Sequence, residues 1–349
     1  MNHSNKEVEI MLLMGFDVGG TKIEATLFRL SEQSPKKSQA SDFQCAHPIR
    51  GHLYGETLAR LREPTERHKG YDSIVDKMAQ LVKQTCQSAQ VSENELQGIG
   101  LGLPGSIDPT SYKMLNGNTM VLINRDLVGD IRKKASLPQS VSLRAENDAN
   151  CFALAEALCG AGLLHHKKSG IPVSEQTGIG IILGTGCGGG IVIQGRTVRG
   201  ARGGGGELGH TILVRDGHQC YCGQSGCAEQ YLSGPALESL MATRHYSQLG
   251  STFLSAKEIF EKADSGDPAA LAVLHRYKND LARFLGGLTS VFDPHYFVLG
   301  GGLSLQPSIY EKLSENLAQH TFLPDTFISI YQHQLGDSAG GLGAALLNL

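Results

Sequence analysis

Residues 11–30 have the sequence MLLMGFDVGGTKIEATLFRL. The apolar run over 11–18 is typical of a buried strand, and 23–30 is predicted to return beside it as a second strand. Between them, the glycine-rich segment GGTK at 19–22 is predicted to form a tight turn. The same strand–glycine turn–strand pattern recurs over 178–194, where the turn carries GTGCGGG. This internal repeat predicts an α/β protein built from two related half-structures that face each other.

The hydrophobic periodicity of the remaining chain predicts alternating helices and strands. Residues 31–56 are polar and are expected to form a surface excursion, and 106–125 are expected to be a loop. Further strands are expected at 57–65, 98–103, 141–144, 296–299 and 327–331, and helices at 71–89, 126–135, 149–162, 234–245, 255–264, 268–291, 308–320 and 339–347.

Length and composition limit the possible functions. A chain of 349 residues is long enough for two domains with hydrophobic cores. The formal net charge of −3 provides no basic surface for nucleic acid. The N-terminus does not resemble a signal peptide, and no run of 18 apolar residues would span a membrane. Five of the eight cysteines occur singly, which favours a reducing cytoplasm over a disulfide-rich compartment.

A histidine and three cysteines form a potential metal site with the spacing H-x9-C-x-C-x4-C. The four residues are His210, Cys220, Cys222 and Cys227. Three thiolates and one imidazole complete a tetrahedral shell, so the site would hold a structural Zn²⁺ ion. Glu207 precedes this set and Glu229 follows it, and closure around a metal should bring the two together. Such carboxylates could catalyse glycoside hydrolysis or bind vicinal sugar hydroxyls. The two glycine turns suit phosphate binding, and they therefore favour the second use.

Glycine turns suit phosphate binding, because no Cβ blocks the approach of an anion to the backbone N–H groups. Neither turn is a P-loop or a dinucleotide-binding motif, since neither opens a helix. Asp17 heads the first turn and could hold Mg²⁺ through water. The segment Gly300-Gly301-Gly302 follows a predicted strand and would let a nucleoside lie on the backbone.

The sequence ENDAN at 146–150 begins a predicted helix. An Asn or Asp at this position commonly caps a helix, so capping is one interpretation of Asp148. Asn147 serves equally well as the cap, which leaves Asp148 able to contact a substrate. Phosphoryl transfer needs one carboxylate to orient the acceptor hydroxyl and take its proton, and Asp148 is the candidate.

Together these motifs resemble the ROK family, which contains bacterial sugar kinases and sugar-responsive repressors. The resemblance extends from about residue 14 to the end of the chain. Its motifs are DVGGTK at 17–22, ENDAN at 146–150, GTGCGGG at 184–190, E-x-G-H at 207–210, C-x-C-G-x-x-G-C-x-E at 220–229 and GGG at 300–302. The resemblance implies an actin-like sugar-kinase ATPase fold, with two RNase-H-like α/β domains and an interdomain cleft. The N-terminal domain would comprise 11–144 and 335–349, and the C-terminal domain 145–334 with a zinc loop at 207–229.

The resemblance also implies roles for individual residues. Asp148 would be the catalytic base of an ATP-dependent hexose kinase that uses Mg²⁺. The residues expected to contact the sugar are Gly105, Ser106, Asn118, Asn147, Asp148, Glu207, His210 and Glu229. Those expected to contact ATP are Asp17, Gly19, Gly20, Thr21, Lys22, Gly184, Thr185, Gly186, Gly300, Gly301 and Gly302. His210, Cys220, Cys222 and Cys227 would bind the structural zinc.

The resemblance leaves the identity of the sugar open. PGSIDP at 104–109 and NGNT at 116–119 are similar to the fructokinase and mannokinase branch, whereas NDANCFALAEA and QYLSG are similar to the N-acetylglucosamine kinases. The main expectation is a fructose, mannose or glucose type of hexose, with N-acetylglucosamine as the alternative and a non-catalytic sugar sensor as a third. The resemblance implies a homodimer. No nucleic-acid partner is expected, since Asp17 lies too near the start for a preceding DNA-binding module, and no membrane partner is expected.

Overall fold

The computed structural model describes residues 10–34, 42–47, 49, 51–117, 119–245, 254–323 and 327–349. The strands are β1 (Ile10–Val18), β2 (Lys22–Ser31), β3 (Asp42–His47), β4 (Gly51–Pro64), β5 (Gly98–Leu103), β6 (Gly105–Ile107), β7 (Met114–Gly117), β8 (Ser142–Asn147), β9 (Thr177–Leu183), β10 (Cys187–Ile193), β11 (Arg196–Thr197), β12 (Tyr296–Gly300) and β13 (Ser329–Gln332). The α-helices are α1 (Tyr71–Ser88), α2 (Leu127–Lys134), α3 (Asp148–Cys159), α4 (Ala161–Ser169), α5 (Glu229–Leu232), α6 (Gly234–His245), α7 (Ala256–Asp264), α8 (Pro268–Phe292), α9 (Leu313–Ala318) and α10 (Ala339–Leu346).

The predicted N-terminal hairpin is confirmed and forms the centre of a six-stranded sheet. Its strand order is β3-β4-β2-β1-β5-β8, with β1 antiparallel to β2 and parallel to β5. Strand β4 adds antiparallel to β2, and β3 pairs with β4. Part of the polar stretch expected as a surface excursion is therefore the edge of this sheet.

The second sheet repeats the arrangement of the first. Its order is β11-β10-β9-β12-β13, with β12 parallel to both β9 and β13. The series β10-β9-β12-β13 corresponds to β2-β1-β5-β8, in which a hairpin is followed by two parallel strands. The expected internal repeat is thus present in the strand order of both sheets.

Contacts divide the chain into two units. The first comprises Met1–Glu175, Val192–Gly205 and Leu335–Leu349, and the second Gln176–Ile191 and Gly206–Gln334. This division differs from the boundary expected after residue 144, because α3 packs against α10 within the first unit. The C-terminal segment from Leu335 lies in the first unit.

Helix α10 approaches the first sheet very closely, because glycines line both surfaces. A Cβ on Gly15 of β1 would overlap the carbonyl oxygen of Gly341, and one on Gly100 of β5 would overlap that of Ala344. The other face of the sheet packs on α1, whose buried side chains include Ile74 and Met78. Residues alternate between the two faces along β1, so Asp17 lies on the α10 side with Gly15.

Three expected elements differ from the structure. The stretch 106–125 is not simply a loop, since β6 and β7 form a small antiparallel hairpin there. The helix expected over 149–162 breaks at Gly160, where the Glu156 carboxylate accepts a hydrogen bond from the Ala161 amide at 3.0 Å and so ends one helix and begins the next. The helix expected at 308–320 is α-helical only in α9, because Lys312 has a φ of 56°.

Candidate active site

The first glycine turn joins β1 to β2 and is closed by a hydrogen bond from the Gly19 amide to the Lys22 carbonyl at 2.8 Å. Asp17 stands just before the turn and pairs in register with Glu24 of β2. Burial raises the pKa of the Asp17 carboxyl above its ordinary value, and the charge of Lys22 opposes that shift. A Cβ on Gly340 would lie 3.2 Å from the Asp17 side chain, so the carboxyl stands over the first turn of α10.

An ion cluster around the buried carboxylate of Glu24, beside the first turn, was not predicted from the sequence. Glu24 is 1% exposed, and its two carboxylate oxygens contact Arg60 at 2.8 Å and Arg62 at 2.6 Å. Both arginines extend from β4, two residues apart on one face of the strand. The only sequence signal for this cluster is the two-residue spacing of the arginines. That spacing predicts a contact with Glu24 only once β4 is known to pair with β2.

The structure brings four of the expected sugar contacts together at the start of α3. Asn147 caps the helix as predicted, because its Oδ1 accepts hydrogen bonds from the amides of Ala149 at 2.9 Å and Asn150 at 3.2 Å. Its Nδ2 donates to the Gly105 carbonyl at 3.2 Å, which places Gly105 and the adjoining Ser106 beside it. Asp148 occupies the first helical position, where its Oδ1 accepts a hydrogen bond from the Ala149 amide at 2.8 Å.

Behind this segment lies a second ion pair that sequence reasoning missed. Glu146 is fully buried and meets Arg199 at 2.6 Å. It also accepts hydrogen bonds from the Asn147 amide at 2.9 Å and from the Asn150 side chain at 3.3 Å. Arg199 donates to the Ala145 carbonyl at 3.0 Å, so this pair holds the end of β8 and the beginning of α3 in place.

The second glycine turn lies in the second unit, between β9 and β10. The Gly184 amide donates to the Gly186 carbonyl at 3.0 Å, and Thr185 lies between them. Glu229, expected to bind sugar, is seated on this turn, since its carboxylate accepts a hydrogen bond from the Cys187 amide at 3.0 Å. A Cβ on Gly186 would lie only 2.6 Å from that carboxylate.

The third glycine segment adjoins the second turn. Gly300 ends β12 and pairs in register with Ile182 of β9. Gly301 has a φ of 79°, and a Cβ there would overlap the backbone of Leu183. Gly302 begins a short 3-10 helix. The glycine segments at 184–186 and 300–302 therefore meet at the carboxyl ends of two neighbouring parallel strands, where α/β sheets commonly bind ligands.

The expected metal ligands converge. One ligand atom from each of His210, Cys220, Cys222 and Cys227 lies within 4.8 Å of the others. The Cys222 and Cys227 sulfurs are 3.6 Å apart, close to the separation of about 3.8 Å that follows from Zn–S bonds of about 2.3 Å in a tetrahedron. The donor set and spacing therefore fit a zinc ion.

The orientation of the His210 ring is constrained from both sides. Its Nδ1 lies 3.6 Å from the Cys220 sulfur, and its Nε2 lies 3.1 Å from the Tyr221 hydroxyl. Nδ1 therefore faces the ligand cluster and Nε2 faces away from it. This leaves Nε2 as the ring nitrogen able to exchange hydrogen bonds outside the metal site.

Both ends of the metal loop converge on Cys187, as expected for a closed loop. The chain pairs across its base, where the Ala228 amide donates to the Thr211 carbonyl at 2.9 Å. Glu207 precedes the short helix Leu208–His210, and a Cβ on Gly209 of that helix would overlap the Cys187 carbonyl. At the other end, Glu229 accepts the hydrogen bond from the Cys187 amide. Burial raises the pKa of the Cys187 thiol to about 12, so it is neutral at pH 7.

Two remaining expectations concern other parts of the chain. Asn118, expected to contact sugar, lies outside the described residues. Among the residues that are described, no helix is both long enough and apolar enough to cross a membrane.

Comparisons with known proteins agree with the fold and the motifs. The model of the ROK family matches residues 13–349. An N-acetyl-D-glucosamine kinase of Mannheimia succiniciproducens is 32% identical over 349 residues, covering 97% of this chain and 99% of the relative. A ROK hexokinase from Thermus thermophilus has a TM-score of 0.72 at 29% identity, covering 96% of this chain and 97% of that one. A ROK glucokinase from Streptomyces griseus, solved with glucose and AMPPNP, has a TM-score of 0.69 at 27% identity, covering 96% of this chain and 98% of the other. These matches confirm the expected actin-like sugar-kinase ATPase fold.

Proposed function

This chain is an ATP-dependent sugar kinase of the ROK family, and we propose that it transfers the γ-phosphate of ATP to the 6-hydroxyl of N-acetylglucosamine. The observation that carries the choice of sugar is its similarity, over nearly the full length, to relatives named N-acetyl-D-glucosamine kinase at 31–34% identity. This support favours the alternative over the fructose, mannose or glucose type of hexose that was the main expectation. Glucose is the second candidate, because a solved relative holds glucose.

Asp148 is the proposed catalytic base. Its carboxylate would accept the proton of the sugar 6-hydroxyl as the hydroxyl oxygen forms a bond to the γ-phosphorus and the bond to the β-phosphate oxygen breaks, which releases ADP. Asn147 supports this role by capping α3, so the cap does not depend on Asp148. The Glu146–Arg199 pair fixes the backbone on which both residues stand.

The glycine turns are the proposed phosphate and nucleotide contacts. Backbone N–H groups at 20–22 and 185–186 would stabilise charge on the transferring phosphoryl group, since those of Gly19 and Gly184 donate within their own turns. Asp17 would hold the Mg²⁺ of MgATP, because a hard cation prefers oxygen ligands and this carboxyl stands at the head of the first turn. The 300–302 segment would contact the nucleoside.

The zinc ion is proposed to have a structural role. His210, Cys220, Cys222 and Cys227 would fill its four coordination positions, leaving none for substrate. The metal would fix Glu207, Glu229 and the Nε2 of His210, which are the proposed sugar contacts from this loop. We also propose a homodimer in the cytoplasm. None of the eight cysteines, which all lie within the described residues, forms a disulfide, and this supports a reducing compartment.

A substrate panel tests the proposal. ADP release would be measured with MgATP and each of N-acetylglucosamine, glucose, mannose and fructose. We expect the highest kcat/KM with N-acetylglucosamine, and a higher value with another hexose would contradict the choice of sugar. Sugar binding without ADP release would instead identify a sensor, and release of free sugar from glycosides without ATP would identify a hydrolase.

The base assignment is tested by Asp148→Asn in the same assay. We expect kcat to fall by about 10²–10⁴, the usual contribution of a positioned general base. Circular dichroism and the KM for ATP should remain unchanged, because Asn147 still caps the helix. A loss of less than about tenfold would exclude Asp148 as the base.

A further inference from the structure

Arg67 lies beside the first glycine turn, although no recognised motif includes it. It follows β4 within the sequence TERHK at 65–69. A Cβ built on Gly20 would lie 3.4 Å from Nη1 of Arg67. The guanidinium therefore stands against the open side of Gly20, at the turn proposed to bind phosphate.

The backbone holds Arg67 at this position. Thr65 is fully buried, and its amide donates to the Thr21 carbonyl at 2.9 Å. Its hydroxyl donates to the Gly19 carbonyl at 2.6 Å. These two bonds attach the segment to the turn on both sides of Gly20, so the register between Arg67 and the turn is fixed rather than accidental.

The charge of Arg67 is also available. The neighbouring carboxylate, Glu66, is already paired with Lys69 at 2.7 Å and Lys77 at 2.8 Å. Hydrogen bonds from these two lysines lower the pKa of Glu66 to about 2. Within the described residues, no carboxylate pairs with Arg67, whose side chain is exposed. A guanidinium held at a glycine turn without an anionic partner is suited to an incoming phosphate.

We propose that Arg67 is a phosphate-binding residue of this kinase and contacts the phosphate chain of ATP at the first glycine turn. This inference rests on the proposed function, since it takes ATP as the ligand of that turn. The planar guanidinium would form charge-assisted hydrogen bonds to phosphate oxygens, beside the backbone N–H groups of 20–22. Arg67 thereby joins Lys22 as a cation at the turn.

The test compares nucleotide binding by the wild type, Arg67→Ala and Arg67→Lys. Calorimetry with ATP, ADP and adenosine separates phosphate contacts from contacts to the nucleoside. We expect Arg67→Ala to bind ATP about tenfold or more weakly and adenosine normally, because a charge-assisted contact is lost. Arg67→Lys should recover part of the affinity, and the difference between wild type and Arg67→Ala should narrow as salt rises. His68→Ala is the matched control, since His68 is an exposed residue of the same short 3-10 helix, Arg67–Lys69.

Steady-state kinetics give a second readout. Arg67→Ala should raise the KM for ATP and leave the KM for the sugar unchanged. Equal ATP affinity in Arg67→Ala and wild type would overturn the inference while leaving the kinase proposal intact. Equal weakening for ATP and adenosine would indicate a structural role and would also overturn it. A wild-type protein that binds no nucleotide would overturn both.

Discussion

Among single residues, Asp17 shows a conflict between stability and activity. Its carboxyl is largely buried, and burial disfavours the charged form and raises its pKa. The charges of Lys22, Arg62 and Arg60 offset part of this cost. A carboxylate kept at a buried position despite its desolvation is a common property of functional sites. The buried negative charge is therefore a destabilising feature that metal binding would explain.

Asp17→Asn should separate these two effects. Since the folded-state pKa is raised above the unfolded value, ionised Asp17 destabilises the fold above its raised pKa, and this penalty disappears as pH falls below the unfolded value. The neutral amide should therefore raise Tm at pH 7, and the gain should shrink in acid. The same substitution should lower kcat, on the order of a hundredfold, if Asp17 holds the metal of MgATP.

Thermal unfolding from pH 3 to 8 and kinase assays at pH 7 measure both effects. Asp216→Asn is the control, because Asp216 is 91% exposed and asparagine accepts its φ of 55°. It should change neither property. A fall in Tm at pH 7 for Asp17→Asn would show that Asp17 stabilises the fold, contrary to its raised pKa.

Residues whose contacts are with their sequence neighbours were predicted correctly. Residues whose contacts are distant in sequence were missed. The capping role of Asn147 follows from its immediate neighbours, so the sequence was sufficient to predict it. Glu24, Arg60 and Arg62 are distant in sequence, and their contact depends on the pairing of β2 with β4. Arg67 likewise reaches its turn only through hydrogen bonds made by Thr65. Such long-range pairings have no short motif by which a single sequence would reveal them.

At the level of elements, the close packing of α10 against its neighbours depends on glycines at the points of contact. Gly15, Gly100 and Gly343 each lie where a Cβ would overlap a carbonyl oxygen of a neighbouring element. The sequence predicted a closing helix of small residues, but it did not predict which surface these residues meet. The close approach places Gly340 beside Asp17, so this packing also sets the environment of the proposed metal site.

Gly100→Ala should force α10 away from β5. The added methyl group would overlap the Ala344 carbonyl, and overpacking of this kind costs about 1–3 kcal/mol in the free energy of unfolding. Urea unfolding measures this loss. Gly287→Ala is the matched control, because nothing lies within 4 Å of its added Cβ in α8. It should be neutral or should stabilise the protein by about 0.5–1 kcal/mol. Equal stability of Gly100→Ala and wild type would contradict the close packing of α10.

Helices and strands were predicted well where an apolar pattern extends over many residues. They were predicted poorly where one or two residues determine the local structure. The hairpin of β1 and β2 and the helix α1 follow from sustained apolar patterns. The hairpin of β6 and β7 is short, and its glycines and asparagines are typical of loops. The interruption at Gly160 depends on a hydrogen bond from Ala161 to the Glu156 side chain, which periodicity does not detect.

Across the whole molecule, the two sheets repeat one strand order, and the paired glycine turns had predicted this repeat. The division into contact units was harder to predict, because Val192–Gly205 leaves the second unit and returns to the first. In that excursion Arg199 reaches Glu146 behind the proposed catalytic segment. A purely sequential boundary could not have anticipated this exchange of segments.

In the metal loop, too, one segment of the chain positions another. Glu229 follows Cys227 by two residues and rests on the second glycine turn. Loss of the metal should therefore disturb sugar and ATP contacts together, rather than sugar contacts alone. We expect Cys222→Ser to lose bound zinc, lower Tm, and raise the KM for both substrates, because structural zinc contributes directly to folding.

Metal analysis, thermal unfolding and kinetics on one preparation of each protein measure these effects. Arg215→Ala is the control in the same loop, since Arg215 is 94% exposed and is not a proposed ligand. It should retain one zinc ion per chain and wild-type kinetics. A wild-type protein that lacked zinc yet kept a normal KM for its sugar would exclude the structural role. A rise in the sugar KM alone would instead show that Glu229 keeps its place on the second turn without the metal, through its hydrogen bond from Cys187.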